Sequence, residues 1–248
     1  MKKKILFISA IHGDEGFSIK VLDELERKFP KDKFAYERII GNPKALARNV
    51  RYLDSNLNRS APGNKNSKLY EEKRAFEILE IAKKFDYVID IHGADSDCGL
   101  AIIICNPILP NFILAGMISI KKIVVWTTKE DLKKGPLTQF CKPAGLEIEC
   151  GRKNDFIIQN KLKKVLARFI KSYQKVTTKD VVNNLKKKEL YVIYDKQTKK
   201  DSNLQDFKKV KNRNEVFYPF MSNVYPKISC YKMRKIKLEK LFLSLSNI

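Results

Sequence analysis

Ile5–Leu6–Phe7–Ile8–Ser9–Ala10–Ile11–His12–Gly13–Asp14–Glu15–Gly16 and Tyr87–Val88–Ile89–Asp90–Ile91–His92–Gly93 share one local grammar. Each is a near-continuous apolar run that closes on a histidine and then a glycine. Apolar runs without alternation mark strands covered on both faces, as in sheets with helices on each side. The chain holds two histidines in all, and both stand in these two stretches. Open α/β sheets gather their ligand sites at such strand ends.

Working outward, Lys4–Ile11 reads as the first buried strand and Glu15 to Phe29 as a helix. Phe17, Val21, Leu22 and Leu25 share one face of that helix, and Pro30 stops it. Phe34–Ile40 predicts a second strand closed by Gly41–Asn42–Pro43, then a long polar loop from Arg48 to Lys68. Loops of that length in compact domains are commonly functional. Leu69–Phe85 reads as an amphipathic helix with Ala75, Ile78, Leu79, Ala82 and Phe85 inward, and Asp86–Ile91 as the strand that leads into His92. Further strands are predicted at Leu100–Cys105, Lys122–Trp126 and Ala144–Cys150, with helices at Asn111–Ile118 and Asp155–Tyr173. The last helix turns Phe156, Leu162, Val165, Leu166, Phe169 and Ile170 inward. This alternation predicts an α/β fold, a mostly parallel or mixed sheet flanked by helices. After Lys186–Lys187–Lys188 the pattern changes to short β-like pieces, Leu190–Tyr194, Glu215–Met221 and Ile228–Lys232. Two units follow from this, residues 1–185 and a small β-rich C-terminal domain at 186–248.

At 248 residues and 44% hydrophobic content the chain can bury a substantial core. No apolar run approaches the roughly 20 residues that cross a bilayer. Lysines 2–4 and the apolar run after them resemble a signal peptide, but they lead straight into His12–Gly13–Asp14–Glu15 without a small-residue cleavage site. The expectation is a core strand in a cytoplasmic protein without a membrane partner. Cys98, Cys105, Cys141, Cys150 and Cys230 are odd in number and show no CxxC pair, so free thiols in a reducing compartment are expected. The net charge of +22 is large, and residues 186–248 carry 16 Lys+Arg against 6 Asp+Glu. Such a field can draw in anionic substrates or nucleic acid. Basic residues interleaved with aromatics, and zinc-finger spacing, are both missing, so no specific nucleic-acid partner is expected. A basic nucleic-acid-binding protein on a degenerate enzyme scaffold stays as an alternative.

His12, Glu15 and His92 form a His₂Glu set, one of the ligand sets of catalytic zinc with an open fourth position. A lone strand-end histidine is commonly no more than a satisfied polar residue. Two with a carboxylate three residues after the first carry more weight. Two further stretches add to them. Arg51–Tyr52–Leu53–Asp54–Ser55–Asn56–Leu57–Asn58–Arg59 crowds two arginines and asparagines into the long loop, which suits recognition of a carboxylate. In Leu146–Glu147–Ile148–Glu149–Cys150–Gly151 the two glutamates alternate by two and point to one face. Carboxylates aimed into a sheet are costly unless paired or functional.

Together, His12–Gly13–Asp14–Glu15, the Arg51 to Arg59 string, Asp90–Ile91–His92 and Ile148–Glu149–Cys150–Gly151 resemble the succinylglutamate desuccinylase/aspartoacylase family, related to the zinc carboxypeptidases. Order and rough spacing agree over about residues 4–155. The resemblance implies a zinc hydrolase that cleaves the amide of an N-acyl amino acid or a similar small carboxylated amide. His12, Glu15 and His92 would hold one Zn²⁺, Glu149 would be the general base, and Arg51 would polarise the scissile carbonyl. Asn58 and Arg59 would grip the substrate's carboxylate. Glu147 is a rival for the base. Carboxypeptidase-like trimming of a peptide C-terminus is the nearest alternative. Asn56 stands where aspartoacylase-like chains usually have Asp, Gln139 where a further substrate-binding arginine is expected, and Gly93–Ala94–Asp95 where Asn–Thr–Thr is typical. These departures put N-acetylaspartate as the substrate in doubt and leave the zinc chemistry untouched.

Overall fold

The structure is a computed structural model, and it describes residues 2–127, 133–212 and 215–239. Its centre is a ten-stranded mixed sheet, β1 (Ile5–Ser9), β2 (Tyr36–Ile40), β3 (Tyr87–Ala94), β4 (Leu100–Ile104), β5 (Lys122–Val125), β6 (Ala144–Gly151), β7 (Glu189–Gln197), β8 (Val210–Lys211), β9 (Val216–Phe220) and β10 (Cys230–Ile236), in the order β2-β1-β3-β6-β4-β5-β7-β10-β9-β8. Strands β2, β1, β3 and β6 run parallel to one another. So do β4, β5 and β7. The two groups meet at an antiparallel pair, β6 with β4. The chain leaves β1 to one side, for β2, and returns on the other, as β3. This is the switch in winding at which open sheets open a crevice.

β1 shows why its sequence lacks alternation. Ile5 and Phe7 join the apolar cluster beneath helices α1 (Phe17–Lys28), α5 (Leu109–Met117) and α6 (Phe156–Ser172), while Leu6 and Ile8 join the cluster beneath α4 (Tyr70–Ala82). Both sides of the strand are dry, so both must be apolar. The predicted inward face of α1 is buried at Val21, Leu22 and Leu25. α6 buries the predicted Leu162, Val165, Leu166, Phe169 and Ile170 but not Phe156, which is 73% exposed at the first helical position, and Ile158 is buried in addition.

Three sequence expectations are corrected. The first strand ends at Ser9 instead of Ile11, because Ala10 takes a left-handed backbone (φ 51°) and turns the chain. His92 and Gly93 are not a turn: β3 continues through them to Ala94, held by pairing with β6. Three short helices, α2 (Lys31–Phe34), α3 (Pro43–Ala47) and α7 (Thr178–Lys186), were not expected. α7 carries a reciprocal capping box between Thr177 and Asp180. The β-rich C-terminal stretch continues the same sheet, with β7 pairing parallel with β5 and β10 pairing antiparallel with β7. No helix among the described residues is long and apolar enough to cross a membrane.

Candidate metal centre and active site

β3 and β6 place four ionisable side chains on one face of the sheet as a two-by-two block. Asp90 pairs in register with Glu147, and His92 with Glu149, and each strand's two residues are separated by one that points the other way. All four are buried. His12 reaches the same place from the turn after β1. That turn needs Gly13, where an added Cβ would stand 2.2 Å from the Ala45 carbonyl carbon of α3. Glu15 follows in a turn whose N–H donates to the His12 carbonyl at 3.1 Å.

The three predicted metal ligands converge, with one ligand atom from each of His12, Glu15 and His92 lying within 4.8 Å of the others. His12 Nδ1 lies 2.8 Å from one Glu15 oxygen, and His92 Nδ1 lies 3.4 Å from the other. The Gly93 N–H also donates to Glu15, at 3.0 Å. Burial alone would raise the Glu15 carboxyl, but the two imidazoles override it and hold the group well below the usual carboxylate range. Burial alone would lower His92. The carboxylates of Asp90, Glu147 and Glu15 override that and hold it well above the ordinary histidine range. This is a pocket that selects for positive charge.

The far nitrogen of each ring is also held. His12 Nε2 lies 3.1 Å from Asn56 Oδ1, and His92 Nε2 lies 2.9 Å from Asp90. The Asn58 N–H donates to the same Asn56 atom at 2.9 Å, so that atom is the amide oxygen, and it accepts from His12 Nε2–H. Both rings are thereby turned with Nδ1 toward Glu15, the arrangement in which an outer acceptor fixes the tautomer of a metal-binding histidine. Two imidazole nitrogens and a carboxylate in a buried, cation-seeking cluster fit a zinc ion.

Glu149 faces the cavity in front of this cluster. No described residue hydrogen-bonds to it, and its carboxyl is pushed up to about 8, chiefly by burial and further by Glu15 and Glu147, against His92 and Arg51. Glu147 is engaged, accepting from Asn58 Nδ2 at 3.1 Å and Thr138 Oγ1 at 3.4 Å. The other end of the Asn58 amide accepts the Leu137 N–H at 3.1 Å. Asn58 thus bridges the loop to β6. Arg51 Nη1 sits 3.2 Å from Glu15, and Arg59 is exposed at the rim with Nη1 donating to the Asn58 carbonyl at 2.6 Å. All seven predicted residues line one cavity of about 470 Å³. Gln139 is not among the residues lining it.

Sequence reasoning missed what builds the loop. Glu71, fully buried at the start of α4, accepts the N–H groups of Leu53, Asp54 and Ser55 at 2.7, 3.0 and 3.1 Å, and Asn42 Nδ2 at 3.1 Å. Asp54 returns a bond to the Tyr70 N–H at 2.8 Å. A glutamate in the first turn of a helix reads in sequence as ordinary dipole matching, which conceals this role. The opposite wall was also missed. It is made by Trp126, Met221, Val224, Tyr225 and Tyr231.

A family profile described as the succinylglutamate desuccinylase/aspartoacylase catalytic domain matches residues 1–169. A probable aspartoacylase of Prochlorococcus marinus (strain CCMP1986 / NIES-2087 / MED4) is 29% identical over 197 residues, 76% of this chain and 65% of that protein. One from Prochlorococcus marinus (strain MIT 9215) is 34% identical over 164 residues, 60% of this chain and 54% of that protein. The chain thus spans about half to two thirds of the length of these relatives. Among solved structures, murine aminoacylase 3 superposes with a TM-score of 0.72 at 16% identity, covering 94% of this chain and 95% of the other. The succinylglutamate desuccinylase from Chromobacterium violaceum gives 0.71 at 15%, covering 96% and 86%. These superpositions agree with the mixed sheet and its C-terminal strands.

Proposed function

The chain belongs to the succinylglutamate desuccinylase/aspartoacylase family, and from that premise we propose that it is a zinc-dependent deacylase cleaving the amide of an N-acyl amino acid or a similar small carboxylated amide. The observation that carries the reading is the convergence of His12, Glu15 and His92 on one buried, cation-seeking point with an unengaged carboxylate, Glu149, facing the same cavity.

His12, Glu15 and His92 would hold the zinc. When bound, the ion supplies Lewis-acid chemistry: it lowers the pKa of a water towards about 7 and polarises a carbonyl. The protein's own groups do the rest. Glu149 accepts the proton of the attacking water and returns it to the leaving amine. Its raised affinity for a proton suits the second half of that cycle, and a cation beside it favours the charged form needed for the first. Arg51, with a half-exposed guanidinium at the edge of the cluster, donates to the oxygen that gains charge as the carbonyl is attacked. Arg59 binds the substrate's carboxylate at the rim, and Asn58, held by Glu147 and Leu137, fixes the backbone from which Arg59 projects. Glu147 is a positioning residue on this reading, since its oxygens already serve Asn58 and Thr138. A cavity of about 470 Å³ lies in the range of small-molecule sites and favours a small amide over a peptide.

The test is elemental mass spectrometry of the purified chain beside hydrolysis of a panel of N-acyl amino acids. The expected result is about one zinc per chain and a Glu149→Gln variant that keeps the metal and loses hydrolysis. Equal hydrolysis by the two zinc-loaded proteins would remove the proposal.

A further inference from the structure

Helix α6 contains no acidic residue, and its cations are Lys161, Lys163, Lys164, Arg168 and Lys171. Lys163 is neutralised by Glu24 of α1 at 2.6 Å. Lys161, Lys164 and Arg168 stand at i, i+3 and i+7, so they share one face, and all three are exposed. None of them makes an ion pair among the described residues. Like charges at this spacing repel and weaken a helix. The row is a cost that α6 carries on the strength of its buried side.

That row is one bank of a groove of about 300 Å³. The other bank is the stretch 118–121 between α5 and β5, and the floor is apolar, made by Leu100, Ile120, Ile158 and Val165. No carboxylate among the described residues lines it. A second cavity of about 260 Å³ shares Ser119, Ile120 and Lys121 with the groove and adds Lys187 and Lys188, again without a carboxylate. Lys188 is spent on construction, since its Nζ donates to the Ile118 and Ile120 carbonyls at 2.7 and 2.5 Å and pins the bank. Lys121 is held by Glu189 at 2.9 Å. Lys187, like the row on α6, has no ion pair among the described residues. The groove is on the sheet face opposite the metal cluster. Ile148, which points away from Glu147 and Glu149, joins the same apolar cluster as Ile120, Ile158 and Val165.

Two demands fall on a ligand here. An unmatched row of ammonium and guanidinium groups takes a multiply charged oxyanion, with Arg168 able to give a phosphate two parallel bonds and the lysines acting as point charges. Exposed charge alone binds weakly, and the apolar floor supplies the rest by burying a flat group. The groove is at the low end of small-molecule sites in volume, short for a long acyl chain and sufficient for a ring. We propose that the groove between α6 and residues 118–121 binds a nucleotide-like ligand, its ring on Ile120, Ile158 and Val165 and its phosphates on Lys161, Lys164 and Arg168. Nothing in this site depends on the deacylase reading.

The full chain, zinc-loaded, is titrated by calorimetry with ADP, adenosine and inorganic pyrophosphate in magnesium-free buffer. ADP should bind about tenfold or more tighter than either fragment, because each fragment meets only one of the two demands. Lys164→Glu combined with Arg168→Glu, both at exposed positions, should weaken ADP by about tenfold or more while zinc content and Tm are kept. Ser119→Trp fills the groove from an exposed position without altering charge. It should weaken ADP and leave pyrophosphate unchanged. Pyrophosphate bound as tightly as ADP would reduce the groove to a plain anion patch and overturn the proposal. An ADP affinity unmoved by either variant would overturn it as well. So would salt-sensitive binding of a single-stranded oligonucleotide with ADP left unbound, which would give the row to a polyanion instead.

Discussion

One face of one sheet carries two unlike surfaces. Over β3 and β6 it holds Asp90, His92, Glu147 and Glu149, four ionisable groups in register. On the next strands of the sheet, β4, β5 and β7, the same side carries Ala101, Ile103, Val124 and Tyr191, an apolar cluster capped by Phe220, Met221 and Met233. The cavity straddles the boundary between them. The first surface is held by parallel strands buried on both sides and by a loop laced onto Glu71. The second is held by tail strands and a turn at residues 221–225. The difference teaches a division of labour. Chemistry that tolerates little displacement sits on the ladder, and surface that can vary with the ligand sits on the turns.

The largest expected effect falls on the polar half. His92→Ala should leave no stoichiometric zinc by elemental analysis and no measurable hydrolysis, because a His₂Glu set reduced to two ligands cannot hold the ion. A full zinc content in that variant would place the metal elsewhere and dissolve the contrast. Next, Glu149→Gln should keep zinc and lower kcat by roughly 10²–10⁴-fold, the usual worth of a positioned acid–base group. If Glu147→Gln does so instead while Glu149→Gln is active, the base has been assigned to the wrong member of the pair.

Asn56→Ala should weaken zinc binding by about 10–100-fold, since it removes the acceptor that turns the His12 ring. Competition with a chelator measures this. An unchanged affinity would show that Gly13 and the turn alone aim the ring.

The metal-free protein should be pH-sensitive in a definite direction. The folded state holds the Glu149 proton up to about 8, whereas the ordinary value is 4.5. The folded state therefore binds more protons than the unfolded one between these values. The stabilisation is complete below about pH 4.5 and is lost as pH rises through about 8, on the order of a few kcal/mol. Melting of metal-stripped wild type should fall relative to Glu149→Gln between pH 5 and 8, and added zinc should remove that relative loss. Parallel curves without zinc would mean that Glu149 is solvated and shares little of the cluster's electrostatics. The smallest effect is Glu71→Gln, expected to cost about 1–3 kcal/mol from weakened bonds to the loop amides, a drop of several degrees in Tm. A larger fall in kcat/KM than in stability would show that Glu71 acts by placing Arg51 and Arg59.

The polar half was largely legible in sequence because its signal is local. A dry strand has to be apolar throughout, so His12 and His92 stand out at the ends of two such runs, and the period of two puts Glu147 and Glu149 on one face. The predicted core faces of α1, α4 and α6 came from the helical period in the same way, with Phe156 the exception because it sits at the first position of α6, before packing begins. The apolar wall left no such trace. Trp126, Met221 and Tyr231 stand about a hundred residues apart across its span, and only the pairing of β5, β7 and β10 joins them. The β4–β6 reversal was invisible for a similar reason, as apolar strands read alike in either direction. α7 did carry a signal in Thr177–Asp180, but its lysine-rich continuation obscured the period.

The register of β6 has a consequence for how the gene can vary. Glu147 and Glu149 look into the cavity while Leu146 and Ile148 look into the core beneath α6. A codon inserted between residues 147 and 149 would turn one carboxylate into that core and bring an aliphatic side chain to face His92. Purifying such a variant should show zinc and cooperative melting lost together. The same insertion beside the exposed Lys65 should leave zinc content and cooperative melting in place. Length changes in this lineage are therefore expected to collect in connections and to spare the eight residues of β6.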